Sequence, residues 1–366
     1  MTSLPRLAPD PRRLGLLLER CRLEVDTGAL PSAQVALAVG GVEYMSETFG
    51  DATPSTRYVP QSAGRPVVAG VLWKLISDGL LDITRTVASY IPEFGTNGKD
   101  VVTVEQVVTH VGGFPLAPLG YPQMLDRSER LKAFSKWRLT YPPGTKLQFH
   151  LTSAAWVIGE LCERITGQPI AQYLRETLTG PLGLDSIEIG PSVDRQGDVA
   201  RFIRTDDDDS DVNPWGPWYL ARPEILAAGE PSHSMVATAS DLAAWYQALL
   251  SSPLWRREVV EDALRIRVTL PVTGERGGTP SVPGNVALFV VVAGDDGTSR
   301  AFLPTATGPR TFGHGGAACQ LGFADPVTGL SFAFLTNGYP TSGYERSRQG
   351  LNRIINIANL AADCFG

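Results

Sequence analysis

Apolar residues recur at helical spacing through LGLLLERCRLEVD and predict a helix from about Leu14 to Asp26. SAQVALAVGGVEYMSETFG follows, two apolar stretches around Gly40-Gly41, the pattern of a β-hairpin closed by a tight turn. In YVPQSAGRPVVAGVLWKLISDGLL, Ser62 stands just ahead of a long apolar-periodic run that predicts a helix ending near Asp78-Gly79. From about Val104 to Leu250 helical periodicity is interrupted by Pro and Gly loops, with TSAAWVIGELCERITG the clearest helix. The pattern then changes to strands, NVALFVVVAG, TSRAFLP, ACQLGFADP and GLSFAFLTNG, each bounded by Gly, Pro or Asp turns, before a last helix from about Tyr344 to Asp363. Strands from both ends with helices between them predict an α+β fold. One antiparallel sheet is built from the two ends of the chain and flanked by terminal helices, with a mainly helical lobe inserted.

With 366 residues and 43% hydrophobic content, the chain can bury a large core, in one two-lobed domain or in two. A formal net charge of -6 with both signs scattered offers no basic face, which argues against nucleic acid as a partner. The opening MTSLPRLAPDPRR is polar and proline-broken, and no segment reaches the roughly 18 uninterrupted apolar residues of a spanning helix. No membrane partner and a cytoplasmic location are therefore expected. Cys21, Cys162, Cys319 and Cys364 are far apart and form no metal-ligand pair, so reduced, mostly buried thiols are expected and no metal. The acidic run Asp206 to Asp211, around Ser210, lacks the glycine-turned spacing of a calcium loop and reads as solvated. Trp215, Trp218 and Tyr219 just beyond it either roof a cleft or pin the loop to the helical lobe.

Several segments match a known family in order. YVPQSAGR stands where a family S-x-x-K nucleophile motif would, followed by GLLDITRTVASYIPEF, VEQVVTHVGGFP, PPGTKLQFHLTSAAWVIGELCERITG and FGHGGAACQLGFADPVTGLSFAFLTNG. From about Leu30 onward the chain resembles the serine beta-lactamase and penicillin-binding-protein superfamily, particularly its class C-like esterase branch. The resemblance implies a single beta-lactamase-like domain over residues 1-366. It implies an α/β lobe from about 10-75 and 280-366 and a mainly helical lobe from about 76-279. It also implies Ser62 as nucleophile, no cofactor and a small-molecule substrate.

The catalytic motifs depart from the family pattern. A serine needs a base to take its proton, and Arg65 stands where the family has lysine; a guanidinium has no lone pair to offer. Either Phe149 or His150 stands at the family tyrosine, depending on register, which leaves His150 as a replacement base or as a loop histidine that caps a helix. His314, Gly315 and Gly316 match the family's Lys/His-x-Gly strand, read here as an edge strand, and by resemblance Ala317 supplies a second oxyanion N–H beside that of Ser62. His110 matches a structural position; the resemblance implies that His233 lies near the cleft, with a cap or loop role as its default. Three functions fit: a serine acyl-enzyme acting on an ester or amide by hydrolysis or acyl transfer; non-acyl chemistry such as cyclisation, elimination or isomerisation, with Arg65 as fixed cation and His150 or His314 moving protons; and a binding protein without activity. An altered enzyme is favoured, because Ser62, the glycine strand and a histidine are present together.

Overall fold

In the computed structural model, which describes residues 8–206, 217–268, 284–296, 300–340 and 344–365, Gly40 and Gly41 lie at φ 57° and 85°. Left-handed backbone at both positions is what a two-residue hairpin turn requires, and it joins β1 (Ser32–Val39) to β2 (Val42–Gly50). The other strands of the sheet are β3 (Asn285–Val286), β4 (Val291–Val292), β5 (Phe312–Gly316), β6 (Gln320–Asp325) and β7 (Leu330–Thr336). All pair antiparallel, in the order β2-β1-β7-β6-β5-β4-β3.

Every residue of β1 and β7 is buried, because both faces of the sheet are covered. Val35, Leu37, Phe332 and Phe334 point to one face, where they meet Leu17 and Cys21 of α1 (Pro11–Asp26) and Ile357 and Ala361 of the C-terminal helix Tyr344–Asp363. Ala36, Ala333 and Leu335 point to the other, into the core shared with the inserted helices. At the centre of that core runs α2 (Arg65–Ser77), apolar all round and buried along almost its whole length. Helix α3 (Ser153–Thr166) flanks it. Helix α4 (Ala239–Ser251) crosses it at Gly70, where a Cβ would lie 2.3 Å from the Trp245 ring. The Trp245 and Trp255 indoles donate to the Pro66 and Gly70 carbonyls at 3.1 and 2.8 Å, so large rings are buried without stranding their N–H groups.

Some strands differ from the sequence pattern. The described part of TSRAFLP, residues 300–304, forms no strand: Arg300 makes one isolated bridge to Gly284, its guanidinium is drawn to the Pro304 and Thr307 carbonyls, and Ala301 sits at φ 53°. NVALFVVVAG is split into β3 and β4 by a reversal through Phe289 at φ 65°. β5 is an edge only in its second half, since Phe312 and Gly313 pair with β4 while His314 to Gly316 pair with β6 alone. The four cysteines are buried free thiols; burial pushes Cys162 and Cys319 up to about 12 and Cys364 to about 11. Trp215 and Asp207 to Asp211 lie outside the described residues. Trp218 pins its segment by donating to the Pro340 carbonyl at 3.1 Å.

Candidate active site

Ser62 lies on a 3-10 turn, Gln61–Gly64, that feeds directly into α2, one turn earlier than a simple helix start. Gln61, just before it, has φ 54°, a left-handed conformation that costs energy for a residue with a Cβ and turns the serine out of the regular path. The first N–H groups of such a helical run have no intrahelical acceptor and lie at its positive end. Ser62 Oγ is 2.9 Å from Nε2 of His233. His233 Nδ1 is in turn 2.9 Å from Glu230 Oε2. A carboxylate only accepts, so the proton of the neutral imidazole sits on Nδ1 and the Nε2 lone pair faces the serine hydroxyl.

The sequence G-E-P-S-H builds this pair locally. Residues 230–234 form one helical turn, with the Ser234 N–H donating to the Glu230 carbonyl at 2.8 Å, so side chains three apart fall on one side. Ser232 fixes the carboxylate: its N–H and Oγ–H reach Glu230 Oε1 at 3.2 and 2.8 Å. The expected cap or loop role of His233 is thus replaced by direct contact with the nucleophile. Glu230 was not identifiable as its partner from sequence. The only available signal was the Glu-x-x-His spacing, which is common in turns.

His150, the expected replacement base, is fully buried and already engaged at both nitrogens. Its Nδ1–H donates to the Gln148 carbonyl at 2.7 Å and its Nε2 accepts from the Phe114 N–H at 3.2 Å. Burial holds it down to about 4, with the nearby Arg65 charge acting in the same direction. His314 donates Nδ1–H to the Gly315 carbonyl at 2.7 Å, and burial, reinforced by Arg65, holds it down to about 3, so it keeps a neutral ring in the cleft and takes up no proton near neutral pH. His110 accepts the His150 N–H on Nδ1 at 3.2 Å, a structural contact. Arg65 is fully buried, bonded to the Leu151 carbonyl, 3.4 Å from Ser232 Oγ, and stacked 4.4 and 5.0 Å from the Phe149 and Phe289 ring centroids. Phe149 rather than His150 lines the cleft.

Both depressed histidines tie stability to pH. In the unfolded chain each takes a proton near 6.5, while in the folded protein each resists to about 4 or 3, so the unfolded chain binds more protons as pH falls. Stability is fully present above about pH 6.5 and should drop by roughly 2 kcal/mol per histidine between pH 7.5 and 5. Urea unfolding at the two pH values measures this. His150→Gln should be less stable at pH 7.5 yet show a shallower pH slope; an unchanged slope would rule out His150 as a source.

The open half of β5 runs beside the serine turn. A Cβ on Gly316 would lie 2.3 Å from the Pro60 carbonyl oxygen, and one on Gly315 2.7 Å from the Phe302 ring, so only glycine lets the strand approach this closely. Between strand, serine turn and inserted helices lies a cavity of about 490 Å³. Ser62, Glu230, His233, His314, Gly315 and Ala317 line it with Leu119, Met124, Phe149, Leu151, Tyr219, Leu220 and Ile225. A proton acceptor on the serine, a carboxylate behind it and an apolar chamber in front are the parts that nucleophilic attack on a carbonyl needs. Among the described residues no group of three His, Cys, Asp or Glu converges as a metal site would. None of the described helices is long and apolar enough to cross a membrane.

Comparison with known proteins gives a consistent family. The beta-lactamase family model matches residues 19–356. The esterase/beta-lactamase LipL of Mycobacterium tuberculosis is 28% identical over 303 residues, covering 75% of this chain and 68% of that one. Among solved structures, a penicillin-binding protein homologue from Caulobacter crescentus superposes with a TM-score of 0.78 at 24% identity, covering 98% of this chain and 100% of that one. A family VIII carboxylesterase superposes with a TM-score of 0.76 at 21% identity, covering 96% and 98%.

Proposed function

The chain belongs to the beta-lactamase family, and from that premise we propose that it is a serine hydrolase that cleaves an ester of a small molecule, by hydrolysis or by acyl transfer, through an acyl-enzyme on Ser62. The observation that carries this reading is the pair of 2.9 Å contacts from Ser62 Oγ to His233 Nε2 and from His233 Nδ1 to Glu230 Oε2. In the proposed reaction His233 Nε2 takes the serine proton as Oγ bonds to the carbonyl carbon. The Ser62 and Ala317 N–H groups hold the oxyanion. The C–O bond then breaks, and the departing alkoxide takes the proton back from His233. Water or a second alcohol, deprotonated by the same imidazole, then releases the acyl group. Glu230 accepts the Nδ1–H of His233 throughout and so holds the tautomer. Arg65 keeps its protons and relays none; it stands as a fixed positive charge behind Ser232. The imidazole thus takes over the task that the family assigns to lysine and tyrosine, which accounts for a site that has neither.

Incubation with a fluorophosphonate and measurement of intact mass tests this. One adduct per chain is expected on the wild type and none on Ser62→Ala, with the melting temperature of the two nearly equal. A wild type that neither labels nor turns over an activated ester would overturn the reading.

A further inference from the structure

Charge around the cavity is one-sided. Glu230 contributes a carboxylate to its wall, and among the described residues that line it there is no lysine or arginine. Arg65 lies behind this wall with none of its surface exposed, and the Phe149 ring, which does line the cavity, lies 4.4 Å from the guanidinium carbon. Much of the wall is apolar, with Leu119, Met124, Leu151, Leu220 and Ile225, and its other polar side chains, among them Gln61, Thr152, Ser234 and Tyr219, are uncharged. A substrate carboxylate entering this chamber would lose its water, meet no exposed cation among the described lining residues and face the Glu230 carboxylate, while Arg65 acts on it only from behind the Phe149 ring. The guanidinium that could have received it is one aromatic ring away.

We propose that the cleft selects uncharged esters with apolar groups beside the scissile carbonyl, and that Phe149 sets this selectivity by covering the Arg65 guanidinium. Phe149 is a specificity-determining residue on this view, and the site holds a latent carboxylate-binding position beneath it. The proposal rests on the acyl-enzyme reading above, but concerns which ester is taken rather than how it is cleaved. Replacing the ring with a smaller side chain should open a path from the cavity to Arg65 and supply the missing cation.

The test uses pairs of esters matched in shape. Monophenyl terephthalate is compared with phenyl para-isopropylbenzoate, which places the charge on the acyl side. The anion para-acetoxybenzoate is compared with para-isopropylphenyl acetate, which places it on the leaving side. The wild type should favour the neutral member by about 100-fold or more in kcat/KM in at least one pair. Phe149→Ala should narrow that ratio at least about tenfold through a gain on the charged ester, whereas Phe149→Leu, which keeps an apolar cover, should retain the wild-type ratio. Should Phe149→Ala fail to fold, Phe149→Val carries the same expectation with a narrowing of at least about threefold. A wild-type ratio near one in both pairs, or a ratio that neither Phe149→Ala nor Phe149→Val shifts, overturns the proposal. Equal narrowing in Phe149→Leu would assign the effect to size rather than to Arg65, and overturns it as well. Affinity of Ser62→Ala for the intact esters reads the same selectivity without turnover. An unreactive wild type with charge-selective binding would therefore remove the acyl-enzyme reading alone.

Discussion

Replacing His233 with alanine is expected to lower kcat for an activated ester by about 10⁴-fold or more while KM changes little. The expectation follows from geometry. His233 Nε2 is 2.9 Å from Ser62 Oγ, whereas the Arg65 guanidinium beneath Phe149 has no lone pair with which to replace it. Without the imidazole the serine must give its proton to water, and the charge that develops in the transition state loses its Glu230-backed partner. The second half of the measurement uses His150. Because both its nitrogens are bonded inside the helical lobe, His150→Gln should cost stability but leave kcat within about threefold of wild type. Steady-state rates of the two variants at a pH where both are folded separate the candidates. If His233→Ala keeps activity within tenfold of wild type while His150→Gln loses it, the base has been assigned to the wrong histidine.

The contrast between these two histidines marks what the sequence could and could not disclose. Local patterns were legible because they are set by neighbours in the chain. Gly40-Gly41 announced a hairpin, the apolar run after Ser62 announced a helix, and the turn-bounded segments ACQLGFADP and GLSFAFLTNG announced strands. The place of Ser62 and of the glycine strand at the cleft was legible through their resemblance to a family, and the cavity does hold Ser62, Phe149, His314, Gly315 and Ala317 together. The base was not, because whether a histidine can accept a proton depends on burial and on bonds made far along the chain. His150 is 36 residues from the Phe114 N–H that occupies its Nε2, and Ser62 is 171 residues from the His233 that meets it. Arg65 had the same ambiguity: its type excluded a base, but only the packing of Phe149 and Phe289 shows a cation shut away from the cleft. TSRAFLP has strand composition, yet in residues 300–304 the Arg300 guanidinium bonds to the Pro304 and Thr307 carbonyls and Ala301 takes a left-handed backbone, neither of which the composition discloses.

Glu230→Gln is expected to lower kcat by about 10³–10⁴-fold, more than Glu230→Ala, although glutamine is the closer match in shape. The reason lies in how the carboxylate is held. Oε1 accepts two hydrogen bonds from Ser232, from N–H at 3.2 Å and from Oγ–H at 2.8 Å. Oε2 faces His233 Nδ1 at 2.9 Å. An amide placed here must keep its oxygen toward the two Ser232 donors, so its NH₂ group is turned to the imidazole. Nδ1 must then accept, the ring proton moves to Nε2, and the nitrogen that should take the serine proton already carries one. Alanine leaves Nδ1 free to donate to Ser232 Oγ, 2.8 Å away, and so permits the productive tautomer at part of its population. Raising the pH should restore little in Glu230→Gln, because the fault is the tautomer and not protonation of the ring. The measurements are kcat and KM for one activated ester across pH 6 to 9 with both variants, together with their fluorophosphonate labelling rates. Activity of Glu230→Gln within about tenfold of wild type, or a full recovery at high pH, would show that Glu230 does not fix the proton on His233.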